Sequence, residues 1–322
     1  MTPPRILIGT RSSALARWQA NWVAAQLISA GVDVELVPIA TRGDTQSREP
    51  ITELGSPGVF TKELQRALLD GRIDLAVHSL KDLPTDEVEN VVLAAVPERE
   101  SPHDALIARD GQRLDQLPRG AAIGTGSLRR RAQLLHVRRD LQMRDIRGNV
   151  DTRLKKLAAG EYDALVLAQA GLKRLGLEAQ ITQLFEPDVL LPAVGQGALG
   201  IEARADDAAT RAAIAPVDDP ASRRAVLAER AMLAALAGGC LAPVGGWAHP
   251  GPDGQLRLDA VVLSADGQRR IAAGATATWG TVAWDTATDG DAVRLGRDVA
   301  DKLLAQGAAE LIRQSREGMG EV

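Results

Sequence analysis

Arg5-Ile6-Leu7-Ile8-Gly9-Thr10-Arg11-Ser12-Ser13 is the stretch that decides the fold class. A short apolar run ending on Gly-Thr reads as a buried strand and its turn. Leu15, Trp18, Trp22 and Ala25 then recur at i, i+3, i+7 and i+10, which predicts a helix with that face inward. Further strands are predicted over 34–38, 75–77 and 91–96, with a helix over 61–70 carrying Leu64, Ala67 and Leu68 on one face. The same strand-to-helix construction recurs at Gly124-Thr125-Gly126-Ser127. Around it lie predicted strands over 105–107, 121–124, 141–146 and 164–167, and helices beginning near Ser127 and Asn149. Strands alternating with helices indicate α/β layers around substantially parallel sheets.

Boundaries fall at Pro97-Glu98-Arg99-Glu100-Ser101-Pro102 and at Leu191-Pro192-Ala193-Val194-Gly195-Gln196-Gly197. Beyond the second lie a strand over 198–201, a helix over 221–237 stopped by Gly238-Gly239, apolar runs over 256–263 and 270–277, and a helix over 291–314. Residues 41–57 lack periodicity and contain Gly43, Pro50, Gly55 and Pro57, so a functional loop or lid is expected there.

At 322 residues the chain holds two or three domains and needs no covalent staples for its core. It is 45% hydrophobic and 25% charged, ordinary for a globular protein. Aromatics at 2% leave few rings on which nucleic-acid bases could stack, and the net charge of −4 argues against a polyanion-coating surface. One cysteine excludes an internal disulfide, and four histidines with that cysteine leave little for a soft metal site, though carboxylate sites stay open. Ile6-Leu7-Ile8 is too short for a signal segment and no apolar run could span a bilayer, so a cytoplasmic location is expected.

Four groups of residues could carry chemistry. The Gly9–Ser13 turn, with backbone N–H groups, hydroxyls and Arg11, could grip an anion, or could be a plain turn with Ser12 or Ser13 capping the helix. Residues 129–156 carry ten basic side chains against Asp140, Asp145 and Asp151, a local charge of +7. Such a run is either a solvated face or a cleft for a ligand with several carboxylates or phosphates. The dominance of Arg over Lys suits bidentate carboxylate binding. His78-Ser79-Leu80-Lys81-Asp82-Leu83-Pro84 follows a predicted strand. Asp82 there is a general acid/base candidate or one partner of a surface salt bridge. Cys240, framed as Ala237-Gly238-Gly239-Cys240, is either a small buried hydrophobe or a nucleophile or covalent tether.

Taken in order, these stretches resemble the porphobilinogen deaminase (hydroxymethylbilane synthase) family. The matching motifs are Gly9–Ser13, His78–Pro84, Gly124–Arg130, Arg147-Gly148-Asn149-Val150 through Arg153, Ala170-Gly171-Leu172-Lys173-Arg174-Leu175-Gly176, Pro192–Gly197 and Gly238-Gly239-Cys240. The likeness spans residues 5 to about 245. Leu241-Ala242 after the cysteine and Gln169 before Ala170 are its departures.

The resemblance implies three domains. Two are α/β domains of the periplasmic-binding-protein type, 1–97 with 198–215 and 103–192; the third is a smaller α/β domain over 220–322. It implies stepwise condensation of four porphobilinogen molecules, with loss of ammonia, on a dipyrromethane primer held by a thioether to Cys240. It also implies Asp82 as the catalytic carboxylate. Lys81, Ser127, Arg129, Arg130 and Arg147, with Asp82, are expected around the cofactor, and Arg11, Ser13, Arg153 and Arg174 around the substrate. A cytoplasmic monomer without nucleic-acid or membrane partners is expected. Two other classes compete. A non-catalytic polyanion-binding protein has no need of Asp82 or Cys240, and a nucleic-acid binder is opposed by the acidic charge balance.

The covalent cofactor gives the first prediction. The intact mass of the purified protein should exceed the chain mass by two pyrrole units, and Cys240→Ser should abolish the increment. An unmodified yet fully active protein would contradict it.

Overall fold

The computed structural model describes residues 5–40, 61–237, 242–251, 255–277 and 288–317. Cys240 with its flanking glycines, and the expected lid over 41–57, lie outside the described residues. The chain divides into two compact units, 1–100 with 198–223 and 101–197 with 224–322.

The first unit contains β1 (Ile6–Thr10), α1 (Ala14–Ser29), β2 (Val34–Pro38), α2 (Lys62–Leu69), β3 (Leu75–Ser79) and β4 (Val91–Ala95). The chain later returns to it with β10 (Leu199–Arg204) and α6 (Ala208–Ile214). Its sheet runs β2-β1-β3-β10-β4. The β2–β1 and β1–β3 pairs are parallel, and β10 is antiparallel to both β3 and β4. Ile6, Ile8, Leu75, Val77 and Ile201 meet α1 on one face, while Leu64, Ala67 and Leu68 of α2 cover the other.

The second unit contains two sheets. In one, β5 (Asp104–Ala108), β6 (Ala122–Gly124), β7 (Gln142–Arg144), β8 (Ala164–Ala168) and β9 (Gln183–Leu184) take the order β7-β6-β8-β5-β9. Helices α3 (Leu128–Val137), α4 (Val150–Ala158) and α5 (Gln169–Arg174) follow its parallel strands. The other sheet is an antiparallel meander of β11 (Val244–Pro250), β12 (Leu256–Leu263) and β13 (Arg270–Thr276). One face of the meander packs on α7 (Pro220–Ala235), α8 (Asp289–Ala305) and α9 (Ala308–Glu317) through Met232, Leu258, Val262, Val299 and Leu311. From its other face Val261 and Leu263 meet Ala132 of α3 and Leu191. The hairpin tip also reaches α3, with His136 Nδ1 lying 2.8 Å from Gly267 O. Helix α3 is thus held between two sheets.

Three sequence expectations change. Each five-stranded sheet is half parallel and half antiparallel, because β10 and β5 pair antiparallel with both of their neighbours. On α1 the buried stripe is Gln19, Ala20, Val23, Ala24 and Leu27, and Trp18 is 38% exposed. Positions 20, 23, 24 and 27 keep the spacing of a helix face, turned away from the one through Trp18. The single helix expected over 291–314 is two, α8 and α9, broken at Gly307, whose φ of +92° lies where only glycine is unstrained.

Close packing of α8 on α7 gives the second prediction. A Cβ at Gly296 would press on Ala228 O and lie 2.8 Å from Ala231 Cβ, both on α7. Gly296→Ala should therefore destabilise the protein by about 1–3 kcal/mol, the usual cost of overpacking. Thermal and urea denaturation measure it, and an unchanged midpoint would show that the helices part freely.

Candidate functional site

In the first unit β1 and β3 are parallel neighbours, Ile8 opposite Leu75 and Gly9 opposite Ala76. Their C-terminal ends therefore open at one edge of the sheet, where α/β folds hold ligands. Arg11, half-buried, follows β1. Ser13 caps α1, its Oγ accepting from Ala16 N at 3.3 Å. The capping alternative is thus realised at Ser13, and its O–H remains a donor.

From β3 the chain enters a 3-10 turn, Leu80–Asp82. Leu80 and Leu83 are buried on either side, Leu80 N donates to Ala198 O at 3.0 Å, and Leu83 N donates to Leu80 O at 3.1 Å. Lys81 is half-buried and Asp82 exposed. The backbone of the turn is anchored, while the Asp82 carboxylate faces solvent. Among the described residues Asp82 joins no ion pair, so the surface salt bridge is not what holds it.

Behind this turn lies a buried polar layer that the sequence reading left without a role. Gln19 Nε2 donates to Ser79 Oγ at 2.7 Å. His78 Nε2 lies 2.9 Å from Glu202 Oε2, and Gln65 Nε2 donates to Glu202 Oε1 at 3.0 Å. These residues tie β3 to α1, α2 and β10. Gln19 was legible only as a polar residue on the inward stripe of a helix.

In the second unit β6 is parallel to both β7 and β8, with Gly124 opposite Arg144 and Leu165. Three loops therefore leave one sheet edge: 125–127, 145–149 and the start of α5. Thr125 N donates to Arg144 O at 3.0 Å, and Ser127 caps α3 by accepting from Arg130 N at 3.5 Å. Arg147 is half-buried on the middle loop. Asn149 caps α4, whose Arg153 donates from Nε to Gly148 O at 2.8 Å. Arg174, the last residue of α5, donates from Nη2 to Gly197 O at 2.6 Å.

Arg129 and Arg130 are both buried and share one partner. They are 4% and 6% exposed and converge on Asp104, which is 0% exposed. Arg129 Nη1 lies 2.7 Å from Asp104 Oδ2 and donates to Leu191 O at 2.6 Å. Arg130 reaches Asp104 Oδ1 from Nε and Nη2 at 2.9 and 2.7 Å, and donates from Nη1 to Val166 O at 2.8 Å. Burial lowers the Arg129 guanidinium from its ordinary pKa, and Asp104 opposes the shift. Asp104 was missed by the sequence reading. Its only signal is a charged residue opening the apolar run 105–107.

The basic run 129–156 thus separates into three kinds. Arg129 and Arg130 are buried, Arg147 stands on an edge loop, and Arg153 lies near the start of α4. Arg138 is bound to Asp140 at 2.6 Å and to the carbonyls of Leu114 and Leu117, next to the exposed Arg139. The hydrogen bond from Arg138 holds the Asp140 carboxyl well below the usual carboxylate range.

Residues 6–212 match the family model described as "Porphobilinogen deaminase, dipyromethane cofactor binding domain", and 223–305 match "Porphobilinogen deaminase, C-terminal domain". The chain is 48% identical over 309 residues to the porphobilinogen deaminase of Roseiflexus sp. (strain RS-1), covering 95% of this chain and 98% of that one. It is 43% identical over 316 residues to that of Brevibacillus brevis, covering 96% and 98%. Among solved structures, the methionine binding protein MetQ gives a TM-score of 0.43 at 14% identity, covering 66% of this chain and 89% of that one.

The three kinds of arginine give the third prediction. Arg147→Gln should cut turnover far more than it lowers the melting temperature. Arg138→Gln should lower the melting temperature and spare turnover, and Arg139→Gln should change neither. Arg129→Gln should lose both, with a stability cost of about 3–5 kcal/mol for breaking a buried pair. Equal, small effects of all four on turnover would mark the cluster as a solvated face.

Proposed function

The chain belongs to the porphobilinogen deaminase family, and from that membership we propose that Asp82 carries the acid–base work while the arginines of the two sheet edges hold carboxylates. The reaction joins four porphobilinogen molecules head to tail, with loss of ammonia at each step, and yields linear hydroxymethylbilane for tetrapyrrole biosynthesis. The cofactor is dipyrromethane. When bound, it supplies the pyrrole carbon to which the first substrate unit is joined. We assign its thioether to Cys240, the chain's one cysteine.

The donor set fits such a group. Each porphobilinogen brings an acetate and a propionate, and the elongating product multiplies them. Arg129 Nε is a buried N–H without a hydrogen-bond acceptor among the described residues, a donor suited to a carboxylate. Around the cofactor we place Lys81, Ser127, Arg129, Arg130 and Arg147. For substrate carboxylates we place Arg11, Ser13, Arg153 and Arg174.

The observation that carries the assignment of Asp82 is the Leu80–Asp82 turn, anchored through Leu80 and Leu83 with its carboxylate exposed at the edge that also bears Arg11. Asp82 accepts pyrrole N–H groups, helps protonate the departing amine, and stabilises the cation left on porphobilinogen when ammonia leaves. Lys81 beside it holds a carboxylate.

The organisation we propose has three domains, 1–97 with 198–215, 103–192 and 220–322. The acidic charge balance and scarce aromatics support a reading without a nucleic-acid partner. No helix among the described residues is long and apolar enough to cross a membrane. We propose a cytoplasmic monomer.

Asp82→Asn keeps the hydrogen-bonding shape and removes the charge and the proton-carrying capacity. The variant should fold normally, bind porphobilinogen nearly as well, and lose roughly 10²-fold or more in turnover. Steady-state kinetics on protein already carrying its cofactor measures this. Turnover near wild type would move the chemistry to another group.

A further inference from the structure

We infer that Asp104 is a positioning residue for the carboxylate-binding arginines, fixing Arg129 and Arg130 as a rigid pair set toward an anionic ligand. The inference rests on the proposed role of those arginines. Three observations carry it.

The first is charge. Asp104 is wholly buried, and two buried guanidinium groups share its single carboxylate. Side by side without it, the two cations would repel each other and turn to separate partners. With it, Arg130 is held at Nε, Nη1 and Nη2, and Arg129 at Nη1 by Asp104 and Leu191 O together. One carboxylate sets the geometry of both but neutralises only one of them.

The second observation is the orphan donor. Arg129 Nε is buried without an acceptor among the described residues, although its Nη1 is doubly used. An enclosed N–H of this kind is costly unless something accepts from it. A ligand carboxylate meets both needs, the spare charge and the spare donor.

The third is that the carboxylate itself is held. Gln196 Nε2 donates to Asp104 Oδ1 at 3.0 Å and to Pro102 O at 2.7 Å. The neighbouring Gly195 N donates to buried Glu229 Oε2 at 2.7 Å, and Glu229 Oε1 accepts from Ala248 N at 2.8 Å. Glu229 lies on α7, the helix that precedes the Cys240 loop in sequence. Adjacent residues of the 192–197 loop thus bond that helix at Glu229 and the carboxylate of the arginine pair at Asp104.

The test is Asp104→Asn, compared with wild type as cofactor-bearing holoenzyme. Asparagine keeps the size of the side chain but turns an N–H₂ toward one guanidinium. A positioning role predicts three results. The kcat/KM for porphobilinogen falls roughly 10²-fold, the scale of small misplacements in a binding constellation. Intact mass shows a smaller fraction of chains carrying dipyrromethane than in wild type. A crystal structure shows the Arg129 or Arg130 guanidinium displaced. A purely structural role predicts a lower melting temperature with undisplaced guanidiniums, full loading and a kcat/KM within about threefold of wild type, and that result overturns the inference. If Asp104→Asn does not fold, Gln196→Met decides: it leaves every charge in place and removes the hydrogen bonds that Gln196 Nε2 gives to the Asp104 carboxylate and to Pro102 O. It should cost about tenfold in kcat/KM and reduce cofactor loading; unchanged values of both overturn the inference. Wild-type protein that consumes no porphobilinogen would instead overturn the reading on which the inference rests.

Discussion

Two guanidinium groups closing on one buried carboxylate constrain the second unit more than any other contact. An uncompensated ion in a protein interior costs several kcal/mol. The Asp104 cluster therefore forms only when β5, the first turn of α3, the carbonyls of Val166 and Leu191, and Gln196 are all in place. Those groups come from four separate stretches of chain. Their convergence sets α3 against the sheet on one side, while the β12–β13 hairpin holds its far end through His136. The residues proposed for the cofactor at the start of α3 are therefore those whose burial the fold has to offset.

The same logic explains how an acidic protein presents a basic site. The whole chain carries −4, yet 129–156 carries +7. Only part of that excess is open to the proposed ligand. Arg138 is absorbed by Asp140 and backbone carbonyls, and Arg139 is solvated. Arg147 and Arg153, in the loop after β7 and near the start of α4, stand close to where parallel strands end. The first unit supplies a complementary tool, a carboxylate on a turn whose backbone is fixed by Leu80 and Leu83 while its side chain stays in water. Anchored backbone with exposed chemistry is what an acid–base group needs, because its position is set without the burial that would disfavour its charge.

The α/β layering was legible in the sequence because short apolar runs ending on Gly-Thr alternate with helical spacing, at Gly9 and again at Gly124. The site turns were legible for the same reason, since they sit where the periodicity switches. The antiparallel strands were not. Nothing local to 104–108 or 199–204 records the direction in which a strand joins a sheet, which depends on where the chain enters or re-enters the unit. The inward face of α1 was misread at Trp18, since a second stripe through 20, 23, 24 and 27 has the same helical spacing. Asp104 escaped notice because its partners lie 25 residues or more away in sequence. A buried counter-ion leaves no periodic trace, only one charged residue ahead of an apolar strand.

The most direct measurement is the stoichiometry of the reaction itself. Purified protein is incubated with porphobilinogen while ammonia, remaining porphobilinogen and the linear tetrapyrrole are quantified together. The account predicts one ammonia released per porphobilinogen consumed and four of each per hydroxymethylbilane formed. Binding of porphobilinogen with no ammonia release would contradict it, and would leave a polycarboxylate-binding protein in place of an enzyme.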